Sequence, residues 1–417
     1  MSRSRQPFVR AGLALFLAAS SLGLLAGTEL VLRLVYPNKT RLSPDEALQP
    51  DSVYLYGLKP GVRGKFDRTA ANGGDVILWQ TNAEGFRGRP LEHDPEVRVV
   101  VFGDSNIQAV FSSLEHTFVH RLETGLSRAT GRDVEVINAG VVGYGPDQSF
   151  LRFREVARSL RPDLIVIDVF ADNDFGDLIR NRLFRVVQGR LESYPHRYRV
   201  MQPGLPARLQ GFANSLLVVR AARHLLKLAG VESRAKPAAP VVPTDPSRYV
   251  SELIARIEQE QAVYAGSAPD TLAQSDHYDL DVATDPEGST ARVKIELMEA
   301  VLHQFKVEAD RMGIKVLAVI EPSAVDLTTN LLLTHRYLSG RFVNYSPERL
   351  SSVVEEICRR NAIPYLNLFP VFQPGSPDAL YFRDTDNHWN DEGQRLAADT
   401  VTPVVASMLP QRRTQPR

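Results

Sequence analysis

The sequence is nearly without cysteine. Cys358 is the single one in 417 residues, which excludes an intrachain disulfide framework. It sits in a helical pattern, Glu355-Glu356-Ile357-Cys358-Arg359, where a lone thiol reads as a small apolar core residue. No Cys/His cluster has zinc-type spacing, so neither a structural metal nor a cofactor is expected. An excess of charge is also lacking: 49 basic residues face 49 acidic ones. Without a bulk field, nucleic acid is not an expected partner. No internal repeat is present. What the chain does have is 43% apolar residues, enough for a sizeable core in one large domain with insertions or in two smaller domains.

The N-terminus carries an address. Arg3, Arg5 and Arg10 precede an apolar segment from Ala11 to Gly27, and Leu30-Val31-Leu32 continue it after Glu29. A basic flank followed by a hydrophobic stretch leaves the N-terminus in the cytoplasm and exports the body. The first apolar segment is at the short end for a bilayer span of about 20 residues, and Thr28 to Val35 lengthens it. Cleavage sites of the small-x-small kind are poor, as in Ala18-Ala19-Ser20, so an uncleaved signal-anchor helix is expected over 1–36. This places the protein in the inner (cytoplasmic) membrane with a single pass and its body in the periplasm or outside the cell.

Residues 37–95 are punctuated by Pro, Gly and Asp, with a strand-like Asp75-Val-Ile-Leu-Trp-Gln80. They read as a stalk plus a β-hairpin. An α/β alternation then begins. Val97 to Phe102 is almost continuously Val, the pattern of a parallel strand buried on both faces. It is followed by a helical pattern near Leu114 to Arg128, a strand at Val134 to Ile137, a helix near Pro146 to Leu160 and a strand at Leu164 to Val169. Three βα units in a row predict a parallel, doubly wound sheet. From 181 to 290 the alternation is interrupted by what looks like a largely helical inserted cap. It holds a hairpin turning at Gln188-Gly189, a helix over Leu216 to Leu228 with Arg220, Arg223 and Lys227 on one stripe, a Pro/Ala-rich linker from Ala235 to Pro246, and an amphipathic helix over Tyr249 to Val263. The core resumes over 291–410 with a long helix to Met312, a strand at Lys315 to Ile320, a helix near Pro347 to Asn361, a short strand at Pro364 to Leu366, and a last helix over Asp391 to Met408 that Asn390 is suited to cap. Residues 411–417 read as a disordered tail.

Four segments fall at the carboxyl ends of these strands, where open α/β sheets bind ligands. Gly103-Asp104-Ser105 breaks the first core strand and presents a hydroxyl. Asn138-Ala139-Gly140-Val141-Val142-Gly143-Tyr144-Gly145 is a glycine-rich strand-to-helix loop whose amides can approach a reacting oxygen closely. Phe170-Ala171-Asp172-Asn173-Asp174 offers the neutral amide of Asn173. Asp384-Thr385-Asp386-Asn387-His388-Trp389-Asn390 precedes the last helix, and its His388 is suited to act as general base for Ser105, with a neighbouring carboxylate fixing the imidazole.

This order of blocks resembles the SGNH superfamily, also called GDSL-type hydrolases, over roughly residues 97–180 and 313–408. The resemblance implies a three-layer α/β/α flavodoxin-like domain with about five parallel strands, formed by 96–180 and 291–410. It also implies Ser105 as nucleophile, His388 as base, and an oxyanion hole made by the Ser105 amide, the Gly143 amide and the Asn173 side chain. The family's acid commonly stands three residues before the His, a place held here by Thr385. Asp386, two before, is therefore assigned as the orienting acid with Asp384 as the alternative. The Asp-x-His-Trp arrangement is similar to that of SGNH-like alginate O-acetyltransferase proteins, although there the Asp-His pair precedes the Ser. An α/β-hydrolase elbow would need Gly-x-Ser-x-Gly, and the position two after Ser105 is Ile107.

The expected chemistry is acyl transfer through an acyl-Ser105 intermediate. Water as acceptor makes the protein a serine esterase acting on acyl esters, with an acetylated carbohydrate as a fitting substrate. A sugar hydroxyl as acceptor makes it an O-acyltransferase of an extracytoplasmic polysaccharide, which would need a membrane acyl-donor partner. A catalytically silent glycan-binding or scaffold module is the third expectation.

Overall fold

The computed structural model of the protein describes residues 6–35, 47–68, 73–92, 94–194, 216–219, 222, 245–266, 277–382 and 387–410. The chain forms two compact units, Met1–Arg41 with Met201–Val241, and Leu42–Val200 with Val242–Arg417. In the first, α1 (Gln6–Val35) is one continuous helix, and its Glu29 carboxylate accepts a hydrogen bond from the Val218 amide at 3.0 Å. Among the described residues no helix is long and apolar enough to cross a membrane, so the expected anchor is not shown. The basic stripe Arg220, Arg223 and Lys227, and the expected linker up to residue 244, lie outside the described residues.

The second unit opens with two antiparallel hairpins, β1 (Leu48–Asp51) with β2 (Leu55–Leu58) and β3 (Arg63–Asp67) with β4 (Val76–Gln80). They pack against the loops of the main sheet. Gln148 Nε2 donates to the Tyr54 carbonyl at 2.9 Å, and Arg152 Nη2 to the Gly85 carbonyl at 3.0 Å.

The main sheet comprises β5 (Val97–Phe102), β6 (Val134–Asn138), β7 (Leu164–Ala171), β10 (Lys315–Pro322) and β11 (Tyr365–Asn367), all paired in parallel in the order β11-β10-β7-β5-β6. Numbered by appearance in the chain, the strands run 2-1-3-4-5, the flavodoxin-like order. In that order the topological switch point falls between β5 and β7. Between β7 and β10 lies a separate hairpin, β8 (Phe184–Val187) with β9 (Arg190–Ser193). It turns at Gln188 (φ 49°) and Gly189 (φ 73°), the two positive φ angles of a tight hairpin turn.

Successive side chains of a strand point to opposite faces, and here they feed two separate cores. Val100, Phe102, Ile165, Ile167, Val316 and Ala318 pack on one face against α4 (Pro146–Leu160), α8 (Ser289–Arg311) and α9 (Arg349–Arg360). Val99, Val101, Leu164, Val166, Leu317 and Val319 pack on the other against α3 (Phe118–Thr130) and α10 (Asp391–Met408). Three layers follow directly from the sheet being apolar on both sides. Between them in sequence come α2 (Ser105–Gln108), α5 (Asp174–Asn181), α6 (Pro246–Tyr264) and α7 (Leu280–Thr284). Val250, Leu253 and Ile257 of α6 join the α8 core. Cys358 is fully buried in α9, and burial pushes its thiol up to about 12. The edge strand β6 is closed by Glu123 of α3, whose Oε2 accepts the Val136 amide at 3.0 Å.

Candidate active site

Ser105 stands at the switch point because the chain after β5 turns within two residues. A Cβ on Gly103 would lie 2.5 Å from Ile107 Cγ1 and 2.9 Å from Asp168 Cβ, so only glycine lets α2 sit this close to β7. Asp104 then caps α2, with Oδ1 accepting the Asn106 amide at 2.8 Å, as a short acceptor at an N-cap does. Ser105 is 6% exposed and its Oγ donates to Asp104 Oδ2 at 3.2 Å. The far end of α2 is held by the buried Arg87, whose guanidinium donates to the carbonyls of Gln108 and Ala109, and to that of Ser112 at 2.6 Å. Arg87 belongs to the N-terminal segment and was not legible as a site residue, since its partners lie more than twenty positions away.

The glycine-rich loop after β6 wraps over α2. Asn138 Nδ2 donates to the Ile107 carbonyl at 2.7 Å, and the Val142 amide to Gln108 Oε1 at 2.5 Å. Gly143 has φ +70°, a conformation in which a side chain is strained. On the other side of Ser105, Asn173 follows β7 and occupies the N-cap position of α5, where Asn ordinarily spends its side chain on the helix. Here it makes no capping bond, it is 3% exposed, and its Oδ1 has no hydrogen-bond partner among the described residues. Its side chain is thus not spent on capping the helix.

His388 is tethered on both sides. The Trp389 amide donates to Asn106 Oδ1 at 2.9 Å, next to Ser105, and Asn387 Nδ2 donates to Asp172 Oδ2 at 3.3 Å, next to Asn173. Asn106 is further clamped by Gln394 of α10, whose Nε2 donates to its carbonyl at 2.9 Å. Asp172 is fixed by the hydroxyl of Ser323. The half-buried His388 ring stands edge-on to Phe111, centroids 5.9 Å apart at 78°, and Phe111 stands edge-on to Phe382 at 5.7 Å. Asn390 begins the following helix, its Oδ1 accepting the amides of Glu392 at 2.9 Å and Gly393 at 3.1 Å. The structure thus brings the Ser105, Asn173 and His388 segments to one edge of the sheet, with the Gly143 loop wrapped over α2. Asp384 and Asp386 lie outside the described residues.

Beneath Ser105 lies a group that sequence reasoning missed. Carboxylate oxygens of Asp104, Asp168 and Glu321 lie within 4.8 Å of one another, all buried. Burial first, and then repulsion by neighbouring acids, raises Asp168, Glu321 and the adjoining Asp174 well above the ordinary carboxylate range. Like charges this close do not ionise together, so protons are shared among them. The spacing would also suit a hard cation, but Asp104 is already engaged with Ser105 and the Asn106 amide. The signal available in sequence was Asp168 interrupting the apolar run Leu164-Ile-Val-Ile-Asp-Val-Phe-Ala171. A separate cavity of about 260 Å³ beside β6, lined by Arg89, Leu91, His120, Glu123 and Glu135 among others, contains none of the four candidate residues.

No family model matches the sequence, and no curated protein does. Among solved structures the chain is similar to a lipase/acylhydrolase from Enterococcus faecalis, with TM-score 0.37 and 12% identity over 76% of this chain and 100% of that one. It is similar also to a GDSL-like lipase from Bacteroides thetaiotaomicron, with TM-score 0.33 and 14% identity over 75% and 90%. A third is a two-domain esterase active on acetylated mannans, with TM-score 0.34 and 12% identity over 76% of this chain and 52% of that one. At such scores these likenesses add nothing to what the geometry itself carries.

Proposed function

We propose that the chain is a serine esterase of SGNH type that acts on acyl esters, acetylated carbohydrate among them, through an acyl-Ser105 intermediate. The observation that carries this is the double tether of His388, pinned through Trp389 to the residue after Ser105 and through Asn387 to the residue before Asn173. A loop held for mere packing has no need of anchors at both halves of a nucleophile and oxyanion pair.

In the resting site the Ser105 proton points to Asp104 at 3.2 Å, a long bond for a hydroxyl on a carboxylate and so readily given up. His388 takes that proton as Oγ attacks the ester carbonyl. The tetrahedral oxyanion is received by the Ser105 amide, the Gly143 amide and the Asn173 side chain, donors fixed before the charge develops. Collapse expels the alcohol, protonated by His388, and leaves the acyl group on Ser105. His388 then deprotonates the acceptor and the cycle closes. Asp386 is the orienting acid of this reading. The anchor reading is supported by the order of Arg3, Arg5 and Arg10 ahead of a stretch free of charge from Ala11 to Thr28, and by exposed apolar side chains such as Leu24 and Leu34 along α1.

Incubation of the full chain with p-nitrophenyl acetate and mass spectrometry of its peptides should find an acetyl group on Ser105. Ser105→Ala and His388→Ala should each lower turnover at least about 10³-fold with the fold retained. A folded wild-type chain that never acylates Ser105 would refute the proposal. Acetate appearing on an added oligosaccharide faster than in water would replace the esterase by the O-acyltransferase.

A further inference from the structure

The hairpin β1–β2 reaches the glycine-rich loop with one side chain. Tyr56 Oη donates to the Gly143 carbonyl at 2.8 Å and to the Val142 carbonyl at 3.1 Å, its one proton shared between the two. The Val142 carbonyl belongs to the same peptide unit as the Gly143 amide. No cis peptide is present among the described residues. In a trans unit C=O and N–H point in opposite directions. A donor on that carbonyl therefore decides where the amide aims. Arg180 Nη2 donates to the Gly143 carbonyl at 2.7 Å, and the Val142 amide is held by Gln108 Oε1 at 2.5 Å. The carbonyls on both sides of Gly143 are thus held, and Tyr56 touches each.

Tyr56 is itself firmly placed. Its ring stands edge-on to Tyr144, centroids 5.4 Å apart at 66°, and the Tyr144 hydroxyl donates to the Tyr56 carbonyl. The preceding residue, the buried Leu55, has φ +74°, a strained conformation for a residue with a Cβ. Such strain persists where the surroundings over-determine the backbone. Here it turns the next side chain toward the loop. Burial keeps the Tyr56 hydroxyl up at about 12, so it remains a donor throughout the working range. A Cβ on Gly143 would stand 2.9 Å from Tyr56 Oη, so the bare glycine and the tyrosine fit one another.

We propose that Tyr56 is a positioning residue that aims the Gly143 amide at the developing oxyanion, which makes the N-terminal hairpin part of the machinery rather than a stalk. The inference rests on the acyl-transfer reading above. A preorganised donor is worth about 10²–10³ in turnover when removed outright. One that is only loosened should lose about tenfold.

The test is steady-state hydrolysis of p-nitrophenyl acetate by the full chain carrying Tyr56→Phe, which keeps the ring and deletes the donor. The expected result is about tenfold lower kcat with KM and melting temperature close to wild type. The loss should be constant with pH, since the Tyr56 hydroxyl does not titrate in the range. Tyr144→Phe keeps the ring against Tyr56 and removes only a bond to the Tyr56 backbone, so it should lower kcat clearly less than Tyr56→Phe does. Gly143→Ala combined with Tyr56→Phe should be no worse than the more damaged single variant. A wild-type kcat in Tyr56→Phe, equal losses in Tyr56→Phe and Tyr144→Phe, or additive losses in the double variant would each overturn the proposal. A wild-type chain with neither turnover nor acyl-Ser105 would instead overturn the acyl-transfer reading, and the proposal with it.

Discussion

Two buried clusters of acids in this chain are neutralised in opposite ways. At the junction of α7 and α8, the fully buried Asp279 and the less buried Asp281 share one cation, with Lys294 Nζ at 2.7 Å and 2.9 Å. Burial raises Asp279, Lys294 opposes it, and the carboxyl ends at about 6. Burial alone would lower Lys294, but the two carboxylates hold it above its ordinary value, firmly charged. Beneath Ser105, by contrast, Asp168 and Glu321 lie against Asp104, and what acts on the two of them is burial together with neighbouring acids. The first cluster is neutralised by a lysine and the second by protons. A lysine fixes structure over a wide pH range. Protons leave the floor of the candidate site sensitive to pH.

The largest way to break the contrast is Lys294→Met, which strands the buried Asp279 and the partly buried Asp281. It should cost about 3–5 kcal/mol in urea denaturation, and adding Asp279→Asn should recover part of that. An unchanged midpoint would show that the lysine is not the compensating charge. Next comes Glu321→Gln, which puts an amide donor where a shared proton sits. Glu321 holds its proton to higher pH in the folded chain than in the unfolded one. Its contribution is therefore fully present below about pH 4 and is lost as pH climbs from there through the raised folded value. The variant should flatten that decline and exceed wild type at pH 8, by about 1.4 kcal/mol for each unit by which the acid was raised. A variant as steep in pH as wild type would reject the shared proton. The smallest effect is expected of Asp281→Asn. It relaxes the partly exposed arm of the lysine cluster, should cost about 1 kcal/mol or less, and should weaken as salt is added.

Much of the fold was legible because its signals are local. The valine run predicts Val97–Phe102 as a buried strand, and the structure has it there. The expected starts at Pro146 and Asn390 are observed, since a fixed φ and a short side-chain acceptor act within one turn. The strands β7 and β10 run on to Ala171 and Pro322, beyond Val169 and Ile320. There the sheet continues past its apolar run because Phe170 pairs with Glu321, a buried acid that no periodicity rule assigns to a strand. Residues 280–284 form a short helix that five positions are too few to announce. The contacts of Tyr56 and Arg87 were beyond reach for a different reason. Both come from a stretch whose Pro, Gly and Asp content reads as connection, and the Tyr56 contacts to the loop span 86 and 87 positions. The candidate residues Ser105, Gly143 and Asn173 could be named because each lies in the loop after a strand, and His388 because it stands just before the capped last helix. Their anchors Asn106, Asp172 and Gln394 could not be, being ordinary polar residues until the fold brings them together.

The closure of β6 has a consequence for how many such molecules can crowd together. An exposed edge strand offers its amides to any extended chain. The sheet has two edges, and the β11 edge is only three residues long. On β6 the carboxylate of Glu123 occupies the Val136 amide, and the Glu92 amide occupies a carboxylate oxygen of Glu135 on the same strand. A strand arriving there meets acidic groups already bonded in place instead of a free ladder. Copies held side by side on one surface would therefore remain separate sheets.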